Sequence, residues 1–280
     1  MLSPQTTLNC NGTLLDVISP IVMGILNITP DSFFDGGLYQ NEKKMLVRVE
    51  KMLHEGAAII DVGGMSSRPG AVFVSSEEEI NRVIPSIQSI KKHFPEAILS
   101  VDTWRSAVAK ASVENGAGMI NDISGGQFDD TLFETVASFK NIPFILMHIQ
   151  GTPDSMQVAP HYDNVLEDIL KYFIEKTGKL RELGVKDIVL DPGFGFGKTI
   201  AHNYEILKNM HVFQIMDLIV LAGISRKSMI YKYLDIKPNE ALSATSALHL
   251  LALQQGARIL RVHDVKEAKE IIALHQLLSS

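Results

Sequence analysis

The chain has 280 residues, 46% of them hydrophobic, enough to bury a large core as one α/β domain. Its net charge is −6 and its lysines and arginines are scattered, which excludes the broad basic face of a nucleic-acid binder and leaves any anionic ligand to a few local cations. The single Cys10 excludes an internal disulfide and a cysteine metal cluster; no apolar run is long enough to span a membrane and the start MLSPQTTLNC lacks a secretion signal, so a soluble cytoplasmic protein is expected.

In chain order, residues 1–20 read as a β-hairpin turning at Asn11-Gly12, an extension suited to plugging the bottom of a barrel. Eight apolar runs follow: IVMGILNI (21–28), AAIIDVGG (57–64), AILSVDT (97–103), GMINDIS (118–124), PFILMHI (143–149), DIVLDPG (187–193), DLIVLAG (217–223) and ARILRVHD (257–264). They are apolar throughout rather than alternating, as in strands of a parallel sheet covered on both faces. A helical pattern follows each: KKMLVRVEKMLHEG, EEEINRVIPSIQSIKKH, RSAVAKASVENG, DTLFETVASFK, YDNVLEDILKYFIEKTGKLRELG, NYEILKNMHVF, ATSALHLLALQQG and VKEAKEIIALHQLL. Eight strand-helix units without a linker predict a (β/α)8 TIM barrel forming a single domain over 1–280, with the hairpin at 1–20.

A barrel of this kind works at the C-terminal ends of its strands, and polar residues collect there: Asn27, Asp61, Asp102, Asn121 with Asp122, His148, Asp191, the run Ser225-Arg226-Lys227, and Arg261 with His263. Singly, each reads as a cap or a satisfied buried group; all eight strands together point to a site. The sequence holds no HExxH zinc pair and no GxSxG elbow, and Cys10 lies in the hairpin, which argues against covalent catalysis. DPGFGFGK (191–198) fails as a phosphate loop because Pro192 stands where the first glycine is required. Asp102 and Asp191 suit a planar, donor-rich ligand edge; Arg68, Lys227, Arg261 and His263 suit a phosphate or diphosphate. Trp104 reads as packing, His148 equally as structure or ligand contact, and Glu77–Glu79 as a helix start favoured by the macrodipole.

The blocks GILNITPDSFFDGG, IIDVGGMSSRPGA, SVDTWRSAVAKASVENGAGMINDISGG, MHIQGTPDSMQ, LDPGFGFGKTIAHNYEIL, SRKS and GARILRVHDV, in this order, resemble the signatures of the dihydropteroate synthase family over about residues 21–265. The resemblance implies a transferase of folate biosynthesis. It joins 6-hydroxymethyl-7,8-dihydropterin diphosphate to 4-aminobenzoate through a pterin methylene cation, with sulfonamides as inhibitors. It further implies that Asp102, Asn121, Met147, Asp191 and Lys227 bind the pterin, and that Asn27, Arg68, Arg261 and His263 bind the diphosphate. Phe33, Ser67, Pro69, Phe196, Lys227 and Ser228 would border the aminobenzoate, and Asp35 and Arg68 would ride on two mobile loops at about 28–38 and 63–72. Asp102, Lys227, Arg261 and His263 become the catalytic set, Mg2+ a diphosphate clamp touching Asn27, and a homodimer the expected assembly. Lys198 drops to a structural or surface lysine. Phe34, Met65, Ser67 and Asp154 depart from the family pattern.

Two other readings use the same barrel. Pterin-binding methyltransferases that deliver to a corrinoid need no diphosphate site, and Arg68, Arg261, His263 and the NITPDSF loop weigh against them. A silent pterin binder would have lost key residues, and none is missing.

Overall fold

The computed structural model describes residues 5–28, 37–65, 74–156 and 158–278. The hairpin strands β1 (Thr7–Cys10) and β2 (Thr13–Asp16) pair antiparallel, and positive φ at Asn11 and Gly12 makes the tight turn that the Asn-Gly pair predicted. Eight parallel strands close the barrel: β3 (Ile21–Asn27), β4 (Ile59–Gly63), β5 (Leu99–Asp102), β6 (Met119–Asp122), β7 (Phe144–Met147), β8 (Ile188–Asp191), β9 (Ile219–Ala222) and β10 (Ile259–Val262), with β10 pairing both β3 and β9. Around it run α1 (Gly37–His54), α2 (Ser76–His93), α3 (Ser106–Glu114), α4 (Leu132–Ser138), α5 (Val165–Glu182), α6 (Ile200–Lys208), α7 (Ser228–Tyr231), α8 (Leu242–Gln254) and α9 (Val265–Leu278).

Helix starts follow local chemistry. Ser75 caps α2 by accepting the Glu78 N–H, with acidic residues in the first turn and Lys91, Lys92 and His93 in the last, matching both ends of the helix dipole. Thr199, the residue after DPGFGFGK, caps α6 through its hydroxyl on the His202 N–H, so it is engaged in starting a helix. Two helical expectations are corrected. NYEILKNMHVF is not one helix: α6 ends at Lys208 and a 3-10 segment runs from Met210 to Met216, ending at Asp217 with a left-handed backbone. Between β9 and α8 the chain forms the short α7 and a 3-10 turn at Pro238–Glu240, where no helix is expected from the pattern. Runs this short carry no hydrophobic period to read.

The strands divide by side-chain parity. Val22, Ile60, Val101, Ile120, Leu146, Leu190, Val220 and Leu260 point outward and pack beneath the helices. Met23, Ile59, Met119, Ile145, Val189, Ile219 and Ile259 point inward at the bottom, where Leu8, Cys10 and Val17 of the hairpin join them. The hairpin therefore plugs the barrel floor, and burial pushes the Cys10 thiol up to about 12, with nearby Asp187 adding to the effect. Toward the C-terminal strand ends, polar groups enter the inward row.

Candidate active site

Stepping two or four residues up the inward row of each strand from the apolar floor gives the mouth: Asn27 on β3, Asp61 and then Gly63 on β4, Asp102 on β5, Asn121 on β6, Met147 on β7, Asp191 on β8, Gly223 after β9, Arg261 and then His263 on and after β10. The register aligns Gly63 with Asn27 and Asp102, Asp102 with Asn121, and Met147 with Asp191. A Cβ at Gly63 would lie 3.6 Å from Asn27 Oδ1 and 3.6 Å from Asp102 Cβ. A Cβ at Gly223 would lie 3.7 Å from both Asp191 Oδ2 and Lys227 Nζ. The two glycines thus keep the floor of the mouth open between functional groups.

Arg261 organises one side. Its Nε donates to Asp61 Oδ2 and its Nη2 to Asp102 Oδ2, both at 2.6 Å, while Asn121 Nδ2 donates to the same Asp61 oxygen at 2.9 Å. Burial works against the charge on Arg261, but Asp61 and Asp102 hold its pKa above the ordinary value. Burial pushes the Asp102 carboxyl up to about 7 against the pull of Arg261, with Asp61 and Glu79 adding repulsion. Asp61 Oδ1 is buried and has no hydrogen-bond partner among the described residues, so this carboxylate has an acceptor to spare inside the mouth.

Across the mouth, Asp191 Oδ1 accepts the Gly193 N–H at 2.7 Å, and burial raises its carboxyl against Lys227, that N–H and Arg261. Burial lowers Lys227 to about 8, with Asp191 opposing and Arg261 assisting. Lys227 Nζ donates to the Phe194 carbonyl and lies 4.6 Å over the Phe196 ring. Phe196 and Trp104 each pack against a small apolar cluster that includes Met147 and Ile149, and Ser228 opens α7 directly after Lys227. His263 meets the Ser225 hydroxyl through Nδ1 at 3.1 Å and through its backbone N–H at 3.2 Å, which orients the imidazole.

Nine of the predicted site residues therefore gather at one mouth: Asn27, Asp102, Asn121, Met147, Asp191, Phe196, Lys227, Arg261 and His263. Ser228 adjoins it. Phe33, Asp35, Ser67, Arg68 and Pro69, with Phe34, lie outside the described residues.

Other strand-end groups turn away from it. Asp122 sits on the outward parity of β6 and accepts the Ser124 and Gly126 N–H groups at 2.7 Å, so it builds a turn. Arg226, with a left-handed backbone, forks onto Asp264. His148 is buried against Lys198 Nζ at 3.0 Å and stacks edge-on with Tyr172, which resolves it as structural. Lys198 is 3% exposed, not a surface lysine. Trp104 meets Phe128 edge to face, as packing predicts.

Asp61 was visible as a strand-end carboxylate, but its partners were not, because Arg261 is 200 residues away in sequence. Glu79 is more than a helix-start charge: it is fully buried and paired with Arg105 Nη1 at 2.5 Å, while Arg105 Nη2 holds the Val74 carbonyl. Only its place as the third member of the Glu77–Glu79 run distinguished it.

The family model described as pterin binding enzyme matches residues 23–263. The dihydropteroate synthase of Escherichia coli (strain K12) is 46% identical over 261 residues, 92% of each chain. The Yersinia pestis dihydropteroate synthase, solved with a sulfonamide drug complex, superposes with a TM-score of 0.91 at 41% identity, covering 98% of this chain and 99% of that one. The Xanthomonas albilineans dihydropteroate synthase, solved with 4-aminobenzoic acid, gives a TM-score of 0.91 at 37% identity over 100% and 99% of the two chains.

Proposed function

The chain belongs to the dihydropteroate synthase family of pterin-binding enzymes, and from that membership we propose how its strand ends carry the family's reaction. The reaction is a group transfer: 4-aminobenzoate replaces diphosphate on 6-hydroxymethyl-7,8-dihydropterin diphosphate, forming 7,8-dihydropteroate. The observation that carries the residue assignment is the pair of carboxylates, half-buried Asp102 and buried Asp191, on opposite sides of a mouth that also holds Arg261 and Lys227.

Asp191 accepts the 2-amino and N3–H edge of the pterin, Asn121 and Asp102 bind the remainder of its polar rim, Lys227 donates to the ring carbonyl, and Met147 lies against the ring face. As the methylene C–O bond breaks, its electron pair leaves on the diphosphate oxygen. Asp102, with Asp61 behind Arg261, stabilises the cation left on the pterin methylene. Arg261, through the Nη1 edge that makes no hydrogen bond among the described residues, joins His263 and Arg68 in holding the departing charge. The aminobenzoate nitrogen, held beside Phe196, Lys227 and Ser228, with Phe33, Ser67 and Pro69 assigned to the same substrate by family membership, forms the new C–N bond and sheds a proton.

Asn27 Oδ1 faces the space that a Cβ on Gly63 would fill, and this carboxamide oxygen would be the protein atom that holds a diphosphate-bound Mg2+. When bound, Mg2+ neutralises charge on the leaving group. We further propose that residues 1–280 act as a single pterin-binding unit, in the cytoplasm and as a homodimer. The buried free thiol of Cys10 supports a reducing compartment. Exposed Ile200, Tyr233 and Leu234, with Tyr204 and Tyr233 rings 6.1 Å apart, support a partner surface. Among the described residues no helix is long and apolar enough to cross a membrane. Sulfonamides compete for the aminobenzoate position.

The test is purified protein with dihydropterin diphosphate and 4-aminobenzoate, with and without Mg2+. Diphosphate and dihydropteroate should form together and stop on chelation. Pterin binding without diphosphate release at saturating aminobenzoate refutes the assignment.

A further inference from the structure

DPGFGFGK joins β8 to α6 by running against the backbone that follows β7. A Cβ on Gly193 would lie 2.0 Å from the His148 carbonyl oxygen, and one on Gly197 would lie 2.4 Å from that of Gln150. With φ of +70° and +62° as well, only glycine lets the two segments meet this closely.

Two side chains tie the segments together. Lys198 Nζ donates to the Phe196 carbonyl at 2.9 Å and to the His148 carbonyl at 3.3 Å, and meets His148 Nδ1 at 3.0 Å. Tyr162 Oη donates to the Gly197 carbonyl at 2.7 Å. The Phe196 carbonyl is thus anchored by the last residue of its own loop, which also grips the backbone after β7, and the Gly197 carbonyl by Tyr162 from outside the loop. Asp191 is held otherwise, by its β-register with Met147 and by the Gly193 N–H.

We propose that Lys198 and Tyr162 are positioning residues for Phe196, fixing where its ring stands beside Lys227 and hence beside the aminobenzoate. This rests on the placement of aminobenzoate at Phe196. Neither residue touches substrate. A lysine suits the task because its amine reaches both carbonyls in either charge state: as ammonium it also donates to His148 Nδ1, and as neutral amine it accepts from an Nδ1–H. Burial lowers both Lys198 and His148 below their ordinary values, each repelled by neighbouring positive charge. Two positive charges are therefore not forced together in the anchor.

The geometry separates the two substrates. Releasing the Phe196 carbonyl moves the aminobenzoate wall and leaves the carboxylates of the pterin site in place. The experiment measures the aminobenzoate KM at saturating dihydropterin diphosphate, and the dihydropterin diphosphate Kd by calorimetry, in Lys198→Met with Phe196→Ala as reference. Lys198→Met should raise the aminobenzoate KM by about tenfold or more and leave the pterin Kd within about twofold, since displacements near 1 Å cost this much or more. Phe196→Ala should raise the same KM. A wild-type KM in folded Lys198→Met beside a raised KM in Phe196→Ala overturns the positioning role. Equal weakening of both substrates overturns it too, as the mark of general structural damage. A wild-type KM in Phe196→Ala instead overturns the aminobenzoate placement. If Lys198→Met does not fold, Tyr162→Phe, which loses only a hydroxyl, should give the same selective rise of about threefold, corresponding to one neutral hydrogen bond; no rise there overturns the proposal.

Discussion

Asp191→Asn exchanges one heavy atom of the pterin site at a carboxylate whose burial is opposed by Lys227, the Gly193 N–H and Arg261. Asp191 is 4% exposed and its Oδ1 accepts the Gly193 N–H at 2.7 Å, a bond the asparagine carbonyl also makes, so the turn after β8 should persist. The other oxygen, Oδ2, shares the opening over Gly223 with Lys227 Nζ. In the proposed complex the carboxylate accepts two N–H groups from the pterin edge. Hydrogen bonds to a charged acceptor contribute roughly 1.5–3 kcal/mol each, and the asparagine NH2 would face a donor, so the loss comes to about 3–6 kcal/mol. At about 1.4 kcal/mol per decade this is a Kd increase of roughly 10²–10⁴-fold. Lys227 also loses the anion that offsets its burial, so its pKa should fall further below about 8. Calorimetric titration with 6-hydroxymethylpterin measures the affinity, and circular dichroism checks the fold. Unchanged affinity in a folded Asp191→Asn protein would refute Asp191 as the acceptor of the pterin edge.

The glycines give paired tests. Gly223→Ala places its Cβ at ordinary contact distance, 3.7 Å, from Asp191 and Lys227, so melting should barely change while the pterin Kd rises about tenfold; a wild-type Kd would mean the pterin does not cross this point. Gly193→Ala meets the His148 carbonyl at 2.0 Å with φ at +70°, and should cost more than about 3 kcal/mol in urea unfolding, whereas Gly178→Ala inside α5, with nothing within 4 Å, should stabilise by about 0.5–1 kcal/mol. Similar stabilities for these two variants would contradict the close approach of the loop to β7. Asp102 predicts a pH signature. Its folded pKa, about 7, is above the ordinary 3.8, so its ionised form is penalised in the fold: the cost is absent below about pH 4, grows as pH rises, and is complete above about 7. The melting temperature of the wild type should therefore decline relative to Asp102→Asn across that window, and a constant difference would refute the shift.

The eight strands, the floor hairpin and most helices could be read from the chain, because buried parallel strands need continuous apolar runs and helices need a 3.6-residue period with caps. The strand ends could be read as well: a polar residue finishing an apolar strand is costly to bury without a partner, so Asp102, Asn121 and Asp191 announced a site before their neighbours were known. The short α7 and the break at Lys208 could not be read, since neither carries a period. The apolar pattern alone does not say which of Asn121 and Asp122 faces the mouth, although the family resemblance implies Asn121; they are adjacent, and the register of β6 against β5 sends one inward and the other to a turn. Tertiary structure alone joined Arg261 to Asp61 and Asp102, buried Glu79 on Arg105, and drew Lys198 away from the surface onto the backbone after β7. Patterns along a chain record which face of an element is apolar, whereas ion pairs and backbone contacts arise between elements far apart in sequence, where closure of the barrel sets the distances.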